Sequence, residues 1–262
     1  MVTDQEGPLA GRVAVVTGGG RGIGRALALG LAEAGAAVVV SSRSHADLDE
    51  VVVEVEGLGG RAAAVVADAG RRESAGLPVA AAMAEFGRID VLVNNVGGTA
   101  KGPVDPFEGD LDAIEETIAL NLLSAFWATR PALPVMREQG YGRVISIGSG
   151  ASRHAAASWP YTTAKHGLVG FTRQLAQDGG VHGITANCLC PGWTNTSLID
   201  FEAMGARTGR TAAEARRYAE SQNAQQRILE PEELVAIAVL LASPAGNSIT
   251  GQTFGVDGGY RL

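Results

Sequence analysis

Val13-Ala14-Val15-Val16-Thr17-Gly18-Gly19-Gly20-Arg21-Gly22-Ile23-Gly24 joins a β-branched run, a cluster of glycines and the start of an alanine- and leucine-rich segment. The run has strand composition, and the segment after it has helical period. Glycines let the chain turn sharply and approach a ligand with bare backbone, while the free N–H groups and dipole of the helix start favour an anion. In this strand-turn-helix setting the loop predicts a dinucleotide site, with Gly18, Arg21, Gly22, Ile23 and Gly24 at the phosphates.

Outward from this unit the same rhythm repeats. Strands are expected over residues 13–17, 38–41, 62–67, 91–94, 144–147, 185–189 and 253–256, and helices over 23–34, 74–86, 111–136, 161–177 and 231–241. Alternating short apolar runs and longer amphipathic segments imply parallel strands joined by crossover helices. The expected fold is therefore α/β: a doubly wound, seven-stranded parallel sheet of Rossmann type with helices on both faces, in a single domain over residues 1–262. A polar stretch with helical composition interrupts the rhythm after the sixth strand. Its position next to the sheet's C-terminal edge suits a substrate lid at about 197–227.

Charge at the end of the second strand bears on which dinucleotide. A carboxylate there would hold a free ribose 2′-OH and repel a 2′-phosphate, and the chain carries Ser41-Ser42-Arg43-Ser44 instead. Arg43 offers a planar fork of donors, and Arg21 flanks the same position from the glycine loop. NADP is expected over NAD, which stays open as the alternative.

Composition narrows the partners. A chain of 262 residues with 46% hydrophobic content suffices for one sizeable core. The net charge of −7 and scattered basic residues argue against nucleic acid and anionic membrane, leaving a small molecule. No apolar run approaches the roughly 20 residues of a bilayer span, and the acidic N-terminal segment lacks a signal-peptide core, so a cytoplasmic location is expected. Cys188 and Cys190, two apart in an apolar strand, face one side and read as reduced core residues. His45, His154, His166 and His182 lack ligand spacing, so no metal is expected.

Lysine occurs only at 101 and 165, and the second stands in Tyr161-Thr162-Thr163-Ala164-Lys165. Residues four apart on a helix share a face. An ammonium beside the phenol favours the phenolate, which makes Tyr161 a usable proton donor and acceptor near neutrality. Ser149 lies just past the fifth strand, at the edge where ligands of such sheets bind, and Ser152 further along the loop; Ser146, inside the strand, is expected to be buried and bonded to backbone.

Taken together, the glycine loop, Asn94-Asn95-Val96-Gly97, Asn121, Ser149, Tyr161 with Lys165, Pro191-Gly192-Trp193-Thr194-Asn195-Thr196 and Val256-Asp257-Gly258-Gly259 resemble the short-chain dehydrogenase/reductase family over nearly the whole chain. The likeness is greatest to its 3-oxoacyl reductase and ketoreductase branch. It implies catalysis by Asn121, Ser149, Tyr161 and Lys165, with Asn121 holding a proton-relaying water and Lys165 also bonding the nicotinamide ribose. It further implies cofactor contacts at Asp68 for adenine, Asn94 on the adenosine ribose side, and Thr194 and Thr196 at the nicotinamide carboxamide and pyrophosphate. A homotetramer built partly on the helices of Asn121 and Tyr161 follows from the same likeness. Val96 stands where the family usually has alanine, and Gln177-Asp178-Gly179-Gly180 reads as an early break in the helix after Lys165. His154 and Trp159 are candidate pocket walls. The expected activity is NADP-dependent hydride transfer between the nicotinamide and a carbonyl or secondary alcohol. An NAD-linked hydroxyacid or sugar dehydrogenase is the alternative, and a dinucleotide sensor without chemistry a more distant one.

Overall fold

The computed structural model describes residues 7–98 and 104–262. Residues 1–6 of the N-terminal segment and Lys101 lie outside them. Among the described residues seven strands form one parallel sheet: β1 (Val13–Thr17), β2 (Ala37–Ser42), β3 (Ala62–Val66), β4 (Val91–Asn94), β5 (Gly142–Ile147), β6 (Ile184–Pro191) and β7 (Thr253–Val256), in the order β3-β2-β1-β4-β5-β6-β7. The order reverses between β1 and β4, so a crevice opens beyond their carboxyl ends, where ligands of doubly wound sheets bind.

Both faces of the sheet are covered, which explains why the strands read as continuous apolar runs rather than alternating ones. Along β1, Ala14 and Val16 face a core with Leu27 and Leu31 of α1 (Gly22–Glu33), Leu48 and Val51 of α2 (His45–Gly57), and Ala238 and Leu241 of α9 (Val235–Ala242). Val13 and Val15 face the opposite core, with Val79 of α3 (Leu77–Phe86), Met136 of α5 (Ser124–Gln139) and Leu175 of α6 (Trp159–Gly179). Each fully buried valine or leucine among these contributes about 1.5–3 kcal/mol relative to exposure.

Three elements depart from the sequence reading. A helix forms over residues 45–57, where no element was expected: Leu48, Val51 and Val55 recur at helical spacing, and Ser44 caps it by accepting from the Asp47 N–H at 3.3 Å. The single helix expected over 111–136 is interrupted. A π-helical turn (Ala119–Leu123) separates α4 (Leu111–Ile118) from α5, which also carries Pro131 and Pro134. Finally, the helix after Lys165 runs two residues past the expected 177 and ends at Gly179, inside the expected break over residues 177–180, where an added Cβ would lie 3.1 Å from the Ile184 Cβ. That glycine serves close packing against β6.

The excursion after β6 consists of two short helices, α7 (Phe201–Thr208) and α8 (Ala212–Ser221). Its base is stapled by a parallel bridge between Thr194 and Leu229, with Asn195 N–H donating to Leu229 O and Leu229 N–H to Trp193 O, both at 2.8 Å.

Candidate active site

At the carboxyl end of β1 the chain turns through Gly18 (φ 65°) and Gly22 (φ 52°), left-handed conformations that a side chain would strain. A Cβ on Gly24 would lie 2.1 Å from Gly18 O and 2.4 Å from Asn95 Nδ2, so the loop closes onto its own helix with no room for a methyl group. Asn95 holds it there. Its Nδ2 donates to Thr17 O at 3.1 Å and to Gly18 O at 3.0 Å, and its N–H donates to Thr17 Oγ1. The first turn of α1 carries no acidic residue, leaving its N–H groups to an incoming anion. This cradle, small, backbone-lined and electropositive, fits a pyrophosphate.

Beside the loop lies a groove of about 460 Å³ walled by Arg21, Arg25, Asp47, Glu50 and Thr196, among others. Thr196 closes it: its Cγ2 would be 3.1 Å from a Cβ on Gly22. Arg43 is exposed beyond it. Thr194 is buried, with its hydroxyl donating to Gly192 O at 3.2 Å. Asp68 is half-buried, one carboxylate oxygen accepting from Gly70 N–H at 3.0 Å. The Asn94 side chain turns inward and donates to Thr129 Oγ1, which leaves its neighbour Asn95 as the asparagine that touches the loop. The sequence offered Asn95 only as part of a motif; its signal was adjacency to Asn94. Val96, the residue where the family usually has alanine, packs on Gly18, with Cγ2 3.1 Å from an added Cβ there.

The second half of the site gathers around α6. Tyr161 and Lys165 share a face, and Lys165 Nζ lies 5.6 Å from the centre of the Tyr161 ring. Lys165 is 2% exposed, and its ammonium donates to Ile147 O, the last carbonyl of β5, at 2.9 Å. No ion pair to a carboxylate holds this buried cation among the described residues. Gly97 threads between it and Asn121: a Cβ there would lie 3.0 Å from Asn121 Oδ1 and 3.1 Å from Lys165 Nζ. Asn121 sits in the π-helical turn and is fully committed as a donor, its Nδ2 bonding Gly98 O at 2.6 Å and Thr117 O at 2.8 Å. Its Oδ1 accepts from Gly98 N–H at 3.0 Å and retains a second lone pair. π-Turns of this kind recur at functional sites because they re-aim one side chain within an otherwise regular helix.

The three serines separate cleanly. Ser149 caps a 3₁₀ turn (Gly150–Ser152), its Oγ accepting from Ala151 N–H at 3.1 Å, so its own hydroxyl hydrogen stays free to donate. Ser152 is buried, and its Oγ accepts from the Ser149 N–H at 3.1 Å. Ser146 corrects the expectation of a backbone bond: its buried Oγ finds no partner among the described residues. Behind this turn, Cys188 and Cys190 are free and buried, with sulfurs 3.9 Å apart. Their shared hydrogen bond and burial push the Cys188 thiol up.

His154 and Trp159, the candidate pocket walls, lie outside the cavity formed beyond the Ser149–Tyr161 loop. His154 sets its ring edge against Tyr260, with centroids 5.9 Å apart, and Trp159 is 48% exposed at the start of α6. No helix among the described residues is long and apolar enough to cross a membrane.

Comparison with known proteins gives a consistent result. The family model for short chain dehydrogenase matches residues 12–203. The short-chain reductase protein NovJ of Streptomyces niveus is 38% identical over 94% of this chain and 93% of its own. D-beta-hydroxybutyrate dehydrogenase of Cupriavidus necator is 37% identical over 96% and 98%. Among solved structures, a putative NAD(P) dependent gluconate 5-dehydrogenase from Beutenbergia cavernae with bound NADP superposes with a TM-score of 0.85 at 38% identity, covering 95% of this chain and 96% of that one.

Proposed function

The chain belongs to the short-chain dehydrogenase family, an oxidoreductase family acting on hydroxyl and carbonyl groups, and from that premise we propose that it is an NADP-dependent reductase of a ketone, working through Tyr161, Ser149, Lys165 and Asn121. The observation that carries this reading is the buried Lys165 ammonium, paired with no carboxylate among the described residues, on one face of α6 with Tyr161. A buried cation is costly without partners, and a phenolate together with ribose hydroxyls supplies them.

The glycine loop with Arg21, Gly22, Ile23 and Gly24 would hold the pyrophosphate, with Thr194 and Thr196 on the opposite wall and Asp68 at the adenosine end, where Asn94, its side chain turned inward to Thr129, would offer backbone alone. When bound, the nicotinamide supplies or accepts the hydride. Tyr161 gives its phenolic proton to the substrate oxygen as charge develops there, and takes it back in the oxidative direction. Ser149 donates a hydrogen bond to the same oxygen. Lys165 stabilises the phenolate left behind. Asn121, across Gly97 from the ammonium, offers its remaining lone pair to a water that returns the proton.

Support for NADP comes from Ser42 and Arg43 in place of an acid at the end of β2, and from Arg21 on the groove wall. The opposite preference has its own observation: Asp47 and Glu50 line that groove. Both carboxylates would face a 2′-phosphate, which favours an NAD-linked hydroxyacid dehydrogenase. The kcat/KM ratio for the two cofactors decides between them, a clear preference for NAD refuting the first. We assign α7 and α8 to a lid. A cytoplasmic homotetramer is the assembly we propose, supported by the apolar patch where Phe126 of α5, 47% exposed, meets Phe171 of α6 at 4.6 Å between ring centres. Light scattering on the purified protein tests it, and a monomer refutes it.

The central experiment is Tyr161→Phe. Loss of the proton donor is expected to lower kcat by about 10²–10⁴ while leaving cofactor affinity nearly unchanged. Full retention of the rate with an accepted substrate overturns the reading.

A further inference from the structure

A second cavity, of about 180 Å³, lies between the lid and the chain's C-terminus, walled in part by Ala157, Trp193, Arg210, Tyr218, Tyr260 and Arg261. Its walls touch the chain neighbours of both reacting residues. Tyr260 lies so close to Gly150, the residue after Ser149, that a Cβ there would be 2.6 Å from the ring's Cδ1 and Cε1. Thr162, the residue after Tyr161, donates its hydroxyl to the carbonyl of Ala156, which also lines the cavity.

The chemistry of this cavity is one-sided. Among the described residues no acidic side chain lines it, although the chain as a whole carries a net charge of −7. Two arginines reach it from separate elements, each over one of its tyrosines: Arg210 lies 5.0 Å from the Tyr218 ring centre and Arg261 5.2 Å from that of Tyr260. Neither guanidinium forms an ion pair among the described residues. Glu214, a nearby acid in sequence, turns its carboxylate onto the Thr211 N–H at 2.8 Å and hydroxyl at 2.9 Å. Trp193 adds a buried indole N–H without an acceptor. Arg261 is held in place, donating to Ala155 O at 2.9 Å and to Gln222 Oε1 at 3.0 Å. Ala157 adopts φ 63°, a left-handed turn that costs a non-glycine residue strain and shapes the loop at this wall.

Planar guanidinium groups with spare donors and aromatic walls, the Glu214 carboxylate attracting Arg210 only from beyond ion-pair distance, describe a seat for a carboxylate. The volume, about 180 Å³, is below the roughly 300–1,000 Å³ of drug-sized pockets and suits a short substrate. Resting on the reductase reading above, we infer that the substrate is a short oxo acid, or the matching hydroxy acid in reverse, its carboxylate held at Arg210 and Arg261 while its carbonyl faces Ser149 and Tyr161.

The test compares 3-oxobutanoate and 4-oxopentanoate with their methyl esters, in the wild type and in Arg210→Gln, Arg261→Gln and Arg261→Lys. The wild type is expected to favour an acid over its ester. Each glutamine variant should lose about 10- to 100-fold in kcat/KM for the acid, mostly through KM, with the ester rate unchanged, and Arg261→Lys should recover part of the loss. Arg210 makes the cleaner variant, since Arg261 also supports backbone. Calorimetric titration of the NADP⁺-bound enzyme with 4-oxopentanoate gives a readout independent of turnover. Acid binding that disappears in Arg210→Gln, with no ketone reduced by any form, upholds the anion seat and refutes the reductase reading. Efficient reduction of neutral ketones, with the acids neither bound nor preferred, does the reverse. A coenzyme A thioester of 3-oxobutanoate turned over better than the free acid also overturns the inference.

Discussion

Replacing Gly24 by alanine sets two effects of opposite sign against each other. Gly24 lies within α1, and alanine in a helix is favoured over glycine by about 0.5–1 kcal/mol. The new Cβ, however, would lie 2.1 Å from Gly18 O and 2.4 Å from Asn95 Nδ2, far inside contact distance and partly against backbone. Relieving such an overlap costs about 1–3 kcal/mol. The relief also pulls the loop off Asn95, whose two bonds to Thr17 O and Gly18 O are worth about 1 kcal/mol each. The net expectation is a loss of about 3 kcal/mol, or a Tm lower by about 6–12 °C for a chain of this size. Urea and thermal denaturation followed by circular dichroism measure it, with KM for the dinucleotide rising alongside because the cradle opens. Gly57→Ala is the control: that glycine ends α2 with nothing within 4 Å of an added Cβ, so it is expected to gain about 0.5 kcal/mol. A Gly24→Ala protein as stable as the wild type, with unchanged KM, would show that close packing does not shape this loop.

Three further outcomes are expected. Ser149→Ala should lower kcat by about 10²–10³ and Ser152→Ala by less than about tenfold, measured in steady state with one ketone; equal losses would move the hydrogen-bonding role away from Ser149. Asp90 is fully buried at the start of β4, where burial raises its pKa but hydrogen bonds from Arg88, the Val13 N–H and Arg12 outweigh that and leave it below its ordinary 3.8. Because the folded-state value is the lower one, its contribution is complete above about pH 4 and lost as pH falls through the folded value. Asp90→Asn should therefore cost on the order of 3 kcal/mol in urea unfolding at pH 7, with the difference from the wild type shrinking below about pH 4; a constant difference across that window contradicts the assignment. Cys188 and Cys190 should both resist an aromatic disulfide reagent in the native protein and react on unfolding, and prompt native reaction would show that the β6 end opens.

Much of the architecture is legible from local pattern. All seven strands form where short apolar runs predict them, the central ones β-branched because both their faces are buried, and helix-length crossovers dictate parallel pairing. Tyr161 and Lys165 could be paired on one face from their spacing alone, since helical geometry is local. The π-turn at Asn121 has no such signature: it forms where the backbone of Gly98 and the carbonyl of Thr117 meet one amide. Whether Asn94 or Asn95 grips the glycine loop depends on which way β4 presents each side chain to β1, a matter of register between strands far apart in sequence. The pairing of Arg210 with Arg261 likewise follows from the lid and the C-terminal tail closing on one cavity, about fifty residues apart along the chain. Composition and periodicity determine which segments become strands and helices, because those preferences act over a few neighbouring residues. Which polar groups meet across the sheet edge is decided only when the whole chain packs, because burial forces each buried donor and acceptor to find a partner wherever the fold has brought one.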